Sequence, residues 1–346
     1  MKNSLQSKKI LMSGNEAMAE AAIRAGCDFY AGYPITPQNE LIAYMAREMP
    51  RHKKIFIQAE SELAAINMLF GASASGRRVM TSSSSPGISL KQEGISYLAG
   101  AELPAVIINV MRGGPGLGNI ASGQSDYFQA TRGGGHGDYF TPCFSPWSVE
   151  EAVELVKSAF DLADYYRNPA LVLTDAMVGQ MMEPVDLNVK SFFNKTLYPK
   201  NWALTGSINR EPRVIKSFFL KEGLLKIHND ALNKKWQEIR EREQRASFYE
   251  TEDARYLLVA YGSQSRIAKD SLFLLRKDGI KIGLFRPISL WPFPEKSLKS
   301  ITGAGPKRSS YIKKIFVVEQ SLGQMVEDVR LALPDKKIYF LGKAGG

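Results

Sequence analysis

The chain has 346 residues, 44% of them hydrophobic and 23% charged, the balance of a globular protein with room for two cores. No apolar run approaches the roughly 20 residues that a membrane-spanning helix needs, and residues 1–9 are polar and basic with no apolar leader. The expectation is a cytoplasmic chain with no membrane span, and the net charge of +10 does not mark a nucleic-acid binder, because residues 188–252 hold 13 Lys and Arg against 8 Asp and Glu. An acidic protein partner or an anionic substrate accounts for that charge.

Residues 10–186 alternate short apolar runs with helical patterns. Strands are expected at 29–31, Ile55–Gln58, 79–81, 106–110 and 171–174, and helices over 16–25, 37–49, 61–75 and Val149–Tyr166. Leu41, Met45 and Met49 show the helical spacing. Asn15 is placed to cap the first of these helices, and Ser148, with Glu151 three residues on, to cap the last. Such alternation predicts a parallel sheet covered by helices, here a first domain over 1–187. Residues 188–252 break the pattern and read as a connecting arm. Leu224, Ile227, Ala231, Leu232, Trp236 and Ile239 share one helix face, which suits packing on either the first domain or a partner chain. Residues 253–346 resume the alternation as a second, smaller α/β domain. Its strands are expected at 256–261, 280–285, 315–318 and 338–341, with a turn at Gly262-Ser263-Gln264-Ser265 and a helix near 324–333. The run ending in Gly345 and Gly346 reads as a flexible, clipped end.

Cys27 and Cys143 are the only cysteines. Two thiols cannot supply a four-cysteine cluster, so the expectation is two unpaired core thiols and any electron-transfer cluster on another chain. None of His52, His136 and His228 shares metal-ligand spacing with another, and no metal ligands are assigned.

Four loops carry residues suited to chemistry, and three follow strands, where parallel α/β sheets bind ligands. In Tyr33-Pro34-Ile35-Thr36-Pro37, two prolines stiffen the backbone around Thr36, and Pro37 suits a first helical turn. In Glu60-Ser61-Glu62, two acids meet a helix start, where they complement the dipole or exchange a proton. Thr81-Ser82-Ser83-Ser84-Ser85-Pro86-Gly87 is either a floppy loop or a hydroxyl-rich wall that a ligand can approach. Arg112, opening Arg112-Gly113-Gly114-Pro115-Gly116, is a candidate carboxylate clamp. Gly116, Gly118 and Ala121 also match the dinucleotide pattern GxGxxA, but no acid-ended strand follows at the usual distance.

Taken together, these segments resemble the alpha subunits of 2-oxoacid:ferredoxin oxidoreductases. Ser61-Glu62-Leu63-Ala64-Ala65, Gly134-Gly135-His136-Gly137-Asp138, Leu290-Trp291-Pro292-Phe293-Pro294 and Gly323-Gln324-Met325 extend the likeness over residues 13–346, apart from the arm. The stretch from Ser83 to Tyr97 is similar to the branched-chain, 2-oxoisovalerate type, with the 2-oxoglutarate type as the alternative. A docking scaffold without catalysis is a rival of another class, disfavoured because Thr36, Glu62 and Arg112 are all present.

The resemblance implies a thiamine-diphosphate-binding fold, with a pyrimidine-binding domain followed by a transketolase-C-terminal-like one. It implies a reaction of 2-oxoacid and coenzyme A to acyl-CoA and carbon dioxide, with electrons passing to ferredoxin. The beta subunit would hold the diphosphate and Mg2+, consistent with the lack of a Gly-Asp-Gly signature here, and gamma and ferredoxin-like delta subunits would complete the complex. Iron–sulfur clusters would lie on partners only. Glu62 falls on the cofactor-activating acid, which hydrogen-bonds a pyrimidine nitrogen, with Glu60 as the competing acid. Thr36 and Arg112 fall on the grip for substrate carboxylate and oxo group. Tyr33, Pro34, Ile35, Thr36, Ser83 and Ser84 would line the cofactor.

Overall fold

The computed structural model of the chain describes residues 9–303 and 312–345; the basic start and Gly346 of the expected clipped end lie outside them. Two main sheets organise the molecule. The larger has seven strands in the order Ser289–Trp291, Cys143–Phe144, Pro169–Asp175, Ala105–Met111, Val79–Ser83, Phe29–Gly32 and Ile55–Gln58. All neighbours are parallel except the first pair. The central strands Ala105–Met111 and Pro169–Asp175 are buried along their whole length, as near-continuous apolar runs in helix-covered parallel sheets must be. The strands expected in the first domain all form, Ile55–Gln58 with its expected bounds and the others with one to three further residues.

The order of the strands matters for function. From Phe29–Gly32 the chain crosses outward to Ile55–Gln58, then returns to the other side as Val79–Ser83. The loops after Gly32 and Ser83 therefore diverge, opening a crevice at a topological switch point.

Local chemistry sets the helix starts. Ser148 accepts a hydrogen bond from the Glu151 amide at 3.2 Å, as expected. The first helix, Gly14–Arg24, is capped by Ser13 instead of Asn15. Asn15 is fully buried and spends its amide on the Pro37 carbonyl and the Glu40 carboxylate, both at 2.8 Å. The second helix runs Asn39–Arg51, so Pro37 precedes it and is not in its first turn. Gln38 is the reason: it is fully buried and anchors the entry by accepting from Ser82 Oγ at 2.6 Å.

The arm folds back on the first sheet. Its helix Leu224–Arg242 buries Leu232, Trp236 and Ile239, while Leu224, Ile227 and Ala231 of the same expected face stay exposed. Trp236 donates its indole N–H to Asn168 at 3.0 Å, and Lys235 pairs with Glu102 at 3.0 Å. The second sheet has the order Ile338–Gly342, Lys314–Glu319, Tyr256–Ala260, Ile282–Pro287 and Ala246–Tyr249, parallel but for the last strand. That last strand comes from the arm, and Ser289–Trp291 crosses to the first sheet. Trp291 stacks there on Phe140, with ring centroids 4.9 Å apart. Cys27 and Cys143 are buried and unpaired. No helix of the described residues is long and apolar enough to cross a membrane.

Candidate functional site

The switch-point crevice is floored by the end of Val79–Ser83. Ser82, Ser83 and Ser84 are completely buried, so the serine run is a wall and not a floppy loop. Buried hydroxyls need partners. Ser82 has them, in Gln38 and in Tyr30, whose hydroxyl lies 2.7 Å from Ser82 Oγ. Ser83 Oγ and Ser84 Oγ have none.

Beside them lies Glu62, the first residue of the helix Glu62–Ala74. Ser61 caps this helix by accepting the Ala64 amide at 3.1 Å, which turns the Glu62 side chain inward. Glu62 is only 6% exposed, whereas Glu60 is on the surface. The two acids that sequence alone leaves competing are thus in different environments. Gly87 shows how closely the wall approaches: a Cβ there would lie 2.1 Å from Ser83 Oγ and 2.6 Å from Glu62 Oε1. Side chains cannot be added at this position without displacing both polar groups.

Arg112 and Thr36 are brought together across the crevice. Arg112 Nη1 donates to the Thr36 carbonyl and Nη2 to the Leu117 carbonyl, each at 2.9 Å. Its Nε is buried without a partner. The Thr36 hydroxyl accepts from Asn39 at 3.0 Å. Tyr33 and Pro34 are exposed on the rim, and Ile35 is half-buried.

Behind Arg112, Ser85 holds a left-handed backbone with φ of 29°, a conformation that costs a non-glycine residue on the order of 1–3 kcal/mol. Three hydrogen bonds over-determine it. Its amide donates to Asn109 Oδ1 at 3.0 Å, its hydroxyl donates to Asp126 at 2.6 Å, and that hydroxyl accepts the Arg112 amide at 3.0 Å. Burial pushes the Asp126 carboxyl above its usual range, opposed by the hydrogen bonds from Ser85 and Asn109. A cleft of about 780 Å3 continues from here, lined by Ser85, Pro115, Asp126, Gln129, Gln320 and Gln324.

Sequence reasoning missed Gln38, Lys91, Asn109 and Asp126. Lys91 is fully buried, and burial pushes its ammonium down to about 7, with Glu62 pulling the other way. Its neighbours Ser89, Gln92 and Glu93 are polar, so no signal in the sequence marks Lys91 as buried. The dinucleotide match at Gly116, Gly118 and Ala121 opens no helix; the next one begins at Tyr127. His136 is exposed. Among the described residues, no group of three or more His, Cys, Asp or Glu is placed to hold a metal ion.

Two family models cover the chain. Residues 20–245 match the pyruvate flavodoxin/ferredoxin oxidoreductase thiamine-diphosphate-binding domain, and residues 254–346 match core domain II of pyruvate:ferredoxin oxidoreductase. The chain is 46% identical over 336 residues to the ketoisovalerate oxidoreductase subunit VorB of Methanothermobacter marburgensis, covering 97% of this chain and 93% of that one. It is 35% identical over 365 residues to the 2-oxoglutarate synthase subunit KorA of Methanothermobacter thermautotrophicus, covering 98% and 95%. A solved 2-oxoglutarate:ferredoxin oxidoreductase from Magnetococcus marinus shares the fold, with a TM-score of 0.85 at 24% identity over 98% of this chain. The chain spans 63% of that larger chain. A split-gene transketolase aligns with a TM-score of 0.60 at 13% identity, over 97% of this chain and 91% of that one. A thiamine-diphosphate-binding domain, a second α/β domain and relatives named as subunits of 2-oxoacid oxidoreductases make this chain a member of the 2-oxoacid:ferredoxin oxidoreductase family.

Proposed function

We propose that this chain is the pyrimidine-gripping alpha-type subunit of a branched-chain 2-oxoacid:ferredoxin oxidoreductase. The complex would convert 2-oxoisovalerate and coenzyme A to acyl-CoA, carbon dioxide and reduced ferredoxin. The beta subunit would hold the diphosphate and Mg2+, and gamma and delta subunits would complete the complex, with the iron–sulfur clusters on partner chains. The domain division at 187 and 252 belongs to the same reading.

The observation that carries it is the buried Glu62 carboxylate beside two buried hydroxyls, Ser83 and Ser84, that lack protein partners. These groups fit an aminopyrimidine, whose ring nitrogens and amino group present acceptors and donors at one edge. Bound thiamine diphosphate supplies the nucleophilic carbon and the electron sink for decarboxylation. Glu62 holds a proton against the ring nitrogen and so sets the tautomer of the exocyclic amine. Ser83 and Ser84 orient the ring from the floor, and Tyr33, Pro34 and Ile35 form the rim that excludes water. Arg112, already braced against the Thr36 and Leu117 carbonyls, directs its free Nε toward the substrate carboxylate, and the Thr36 hydroxyl takes the oxo group.

The decisive experiment reconstitutes the complex and assays a panel of 2-oxoacids with coenzyme A and a low-potential acceptor. 2-Oxoisovalerate is expected to give a higher kcat/KM than 2-oxoglutarate. The greater identity to the ketoisovalerate relative, 46% against 35%, supports that order. An equal or higher value for 2-oxoglutarate assigns the chain to the other substrate class.

Arg112→Lys tests the clamp. Lysine keeps the charge but lacks the planar fork, so one ammonium nitrogen cannot replace two separate terminal nitrogens on the Thr36 and Leu117 carbonyls while Nε faces the substrate. We expect kcat/KM for the best 2-oxoacid to fall at least about tenfold, the loss of one charge-assisted hydrogen bond of ~1.5–3 kcal/mol. Assembly, followed by size-exclusion chromatography, should be unaffected. An unchanged kcat/KM removes Arg112 from substrate recognition.

A further inference from the structure

We propose that Asp126 is a positioning residue for the substrate clamp, acting through the Ser85 hydroxyl to fix the backbone that carries Arg112. This rests on the role given to Arg112 above. Behind the guanidinium lies a closed set of hydrogen bonds. Asp126 Oδ2 accepts the Ser85 hydroxyl at 2.6 Å and the Asn109 carboxamide N–H at 3.0 Å. The oxygen of that carboxamide accepts the Ser85 amide, also at 3.0 Å. Ser85 Oγ, its proton committed to Asp126, accepts the Arg112 amide at 3.0 Å. Three side chains thus act as one unit on a single backbone N–H, that of the clamp.

The sheet shows why such a link is needed. Val79–Ser83 and Ala105–Met111 are parallel neighbours whose ladder ends with Ser83 opposite Asn109. Ser85 and Arg112 lie two and three residues past that rung, and the Ser85 hydroxyl joins them. Ser85 does so from its left-handed backbone, with φ of 29°. Strained residues other than glycine persist only where their surroundings over-determine them, and they cluster at functional sites. Asp126 and Asn109 are those surroundings.

Asp126 is held in turn from beside the second sheet. Gln324, which precedes the helix Met325–Ala332, donates to the Ser125 carbonyl and accepts the Phe128 amide, both at 2.7 Å. One side chain therefore pins the segment on either side of Asp126. Tyr127 adds a bond from its hydroxyl to Asp328 at 2.6 Å.

Arg112 is braced on the Thr36 and Leu117 carbonyls, so a shift of its backbone turns Nε away from the substrate carboxylate. The loss is one of substrate binding and appears in KM for the 2-oxoacid. A merely structural role would lower the amount of active complex, and with it the apparent kcat, at unchanged KM.

Ser85→Ala and Asp126→Ala in the reconstituted complex test this by steady-state kinetics. Alanine at position 85 keeps the amide bond to Asn109 and removes only the hydroxyl. Each variant should raise KM for the best 2-oxoacid about tenfold or more, since misplacing a positioning group by ~1 Å can cost on the order of 10²-fold. Assembly and thiamine-diphosphate content after gel filtration should match the wild type. Asp126→Asn, whose side-chain oxygen still accepts from Ser85, should recover most of the loss. The double variant Ser85→Ala with Asp126→Ala should be no worse than either single one, because both break the same link. In an Arg112→Lys background, Asp126→Ala should cost less than about twofold more.

A wild-type KM in both alanine variants overturns the proposal. So does an Asp126→Asn no better than Asp126→Ala, or a loss that adds in full to that of Arg112→Lys. Should Asp126→Ala not assemble, Ser85→Ala decides alone. An unchanged kcat/KM in Arg112→Lys overturns the clamp itself; an impaired Arg112→Lys beside alanine variants with wild-type KM overturns only the part given to Asp126.

Discussion

Glu62→Gln in the reconstituted complex is expected to lower kcat by about 10²–10⁴-fold while cofactor remains bound, the range typical of general acid–base participation. Glutamine matches the size of glutamate and still hydrogen-bonds the ring nitrogen. It has no acidic proton to share, so it cannot favour the reactive tautomer. Helix capping by Ser61 is independent of the substitution, which protects the fold from the change. Glu60→Gln is the internal control. Glu60 is exposed two residues away, and its loss should cost less than about threefold, the scale of a surface dipole interaction. The two variants are compared by steady-state kinetics and by cofactor content after gel filtration. Normal turnover of Glu62→Gln with an inactive Glu60→Gln exchanges the two roles.

Arg286→Met should be the most damaging single change to stability. Arg286 is 2% exposed and forks onto Glu151, with Nη1 and Nη2 at 2.7 and 2.6 Å from its two carboxylate oxygens. It also donates to Ser247 at 2.8 Å and lies over the Trp147 ring. The pair joins the strand Ile282–Pro287 of one sheet to the helix Val149–Tyr166 beside the other. Removing one member of a buried pair strands the other charge and costs about 3–5 kcal/mol. A fall in Tm of roughly 5–10 °C follows for a chain of this size, measured by differential scanning calorimetry. Arg286→Met with Glu151→Leu should recover much of the loss, because replacing both partners by apolar groups is often neutral. A single variant that melts with the wild type would show the pair to be dispensable.

Most of the first sheet was legible because its central strands are buried on both faces and read as apolar runs without alternation. Its short strand Cys143–Phe144 was not, nor was the separate antiparallel pair Ile10–Ser13 and Met182–Val185, since none is longer than four residues and none carries a periodicity to detect. Ser289–Trp291 was invisible for a different reason: its partner lies about 146 positions upstream, at Cys143–Phe144, and nonlocal pairing leaves no local mark.

Asn15 was read as a cap because asparagine favours that position. Its amide instead braces the Pro37 loop, a role that only tertiary structure reveals. Among the candidate site residues, the motifs singled out Thr36, Glu62, Ser83 and Arg112, but burial alone separates Glu62 from Glu60. Lys91 and Asp126 escaped notice because charged residues read as surface by default.

The crossing of Ser289–Trp291 into the first sheet bears on how such chains can be divided or recombined. Severed in the arm, the amino-terminal piece would present Cys143–Phe144 as a raw sheet edge, its backbone groups open to any passing strand. The carboxy-terminal piece, if cut before Ala246, would keep its own sheet but leave Trp291 without the Phe140 ring it stacks on. A chimera that borrows the second half of a relative therefore inherits a fitting problem at Leu290 and Trp291. Its success depends on whether the donor residue in place of Trp291 still packs on the host's Phe140 ring.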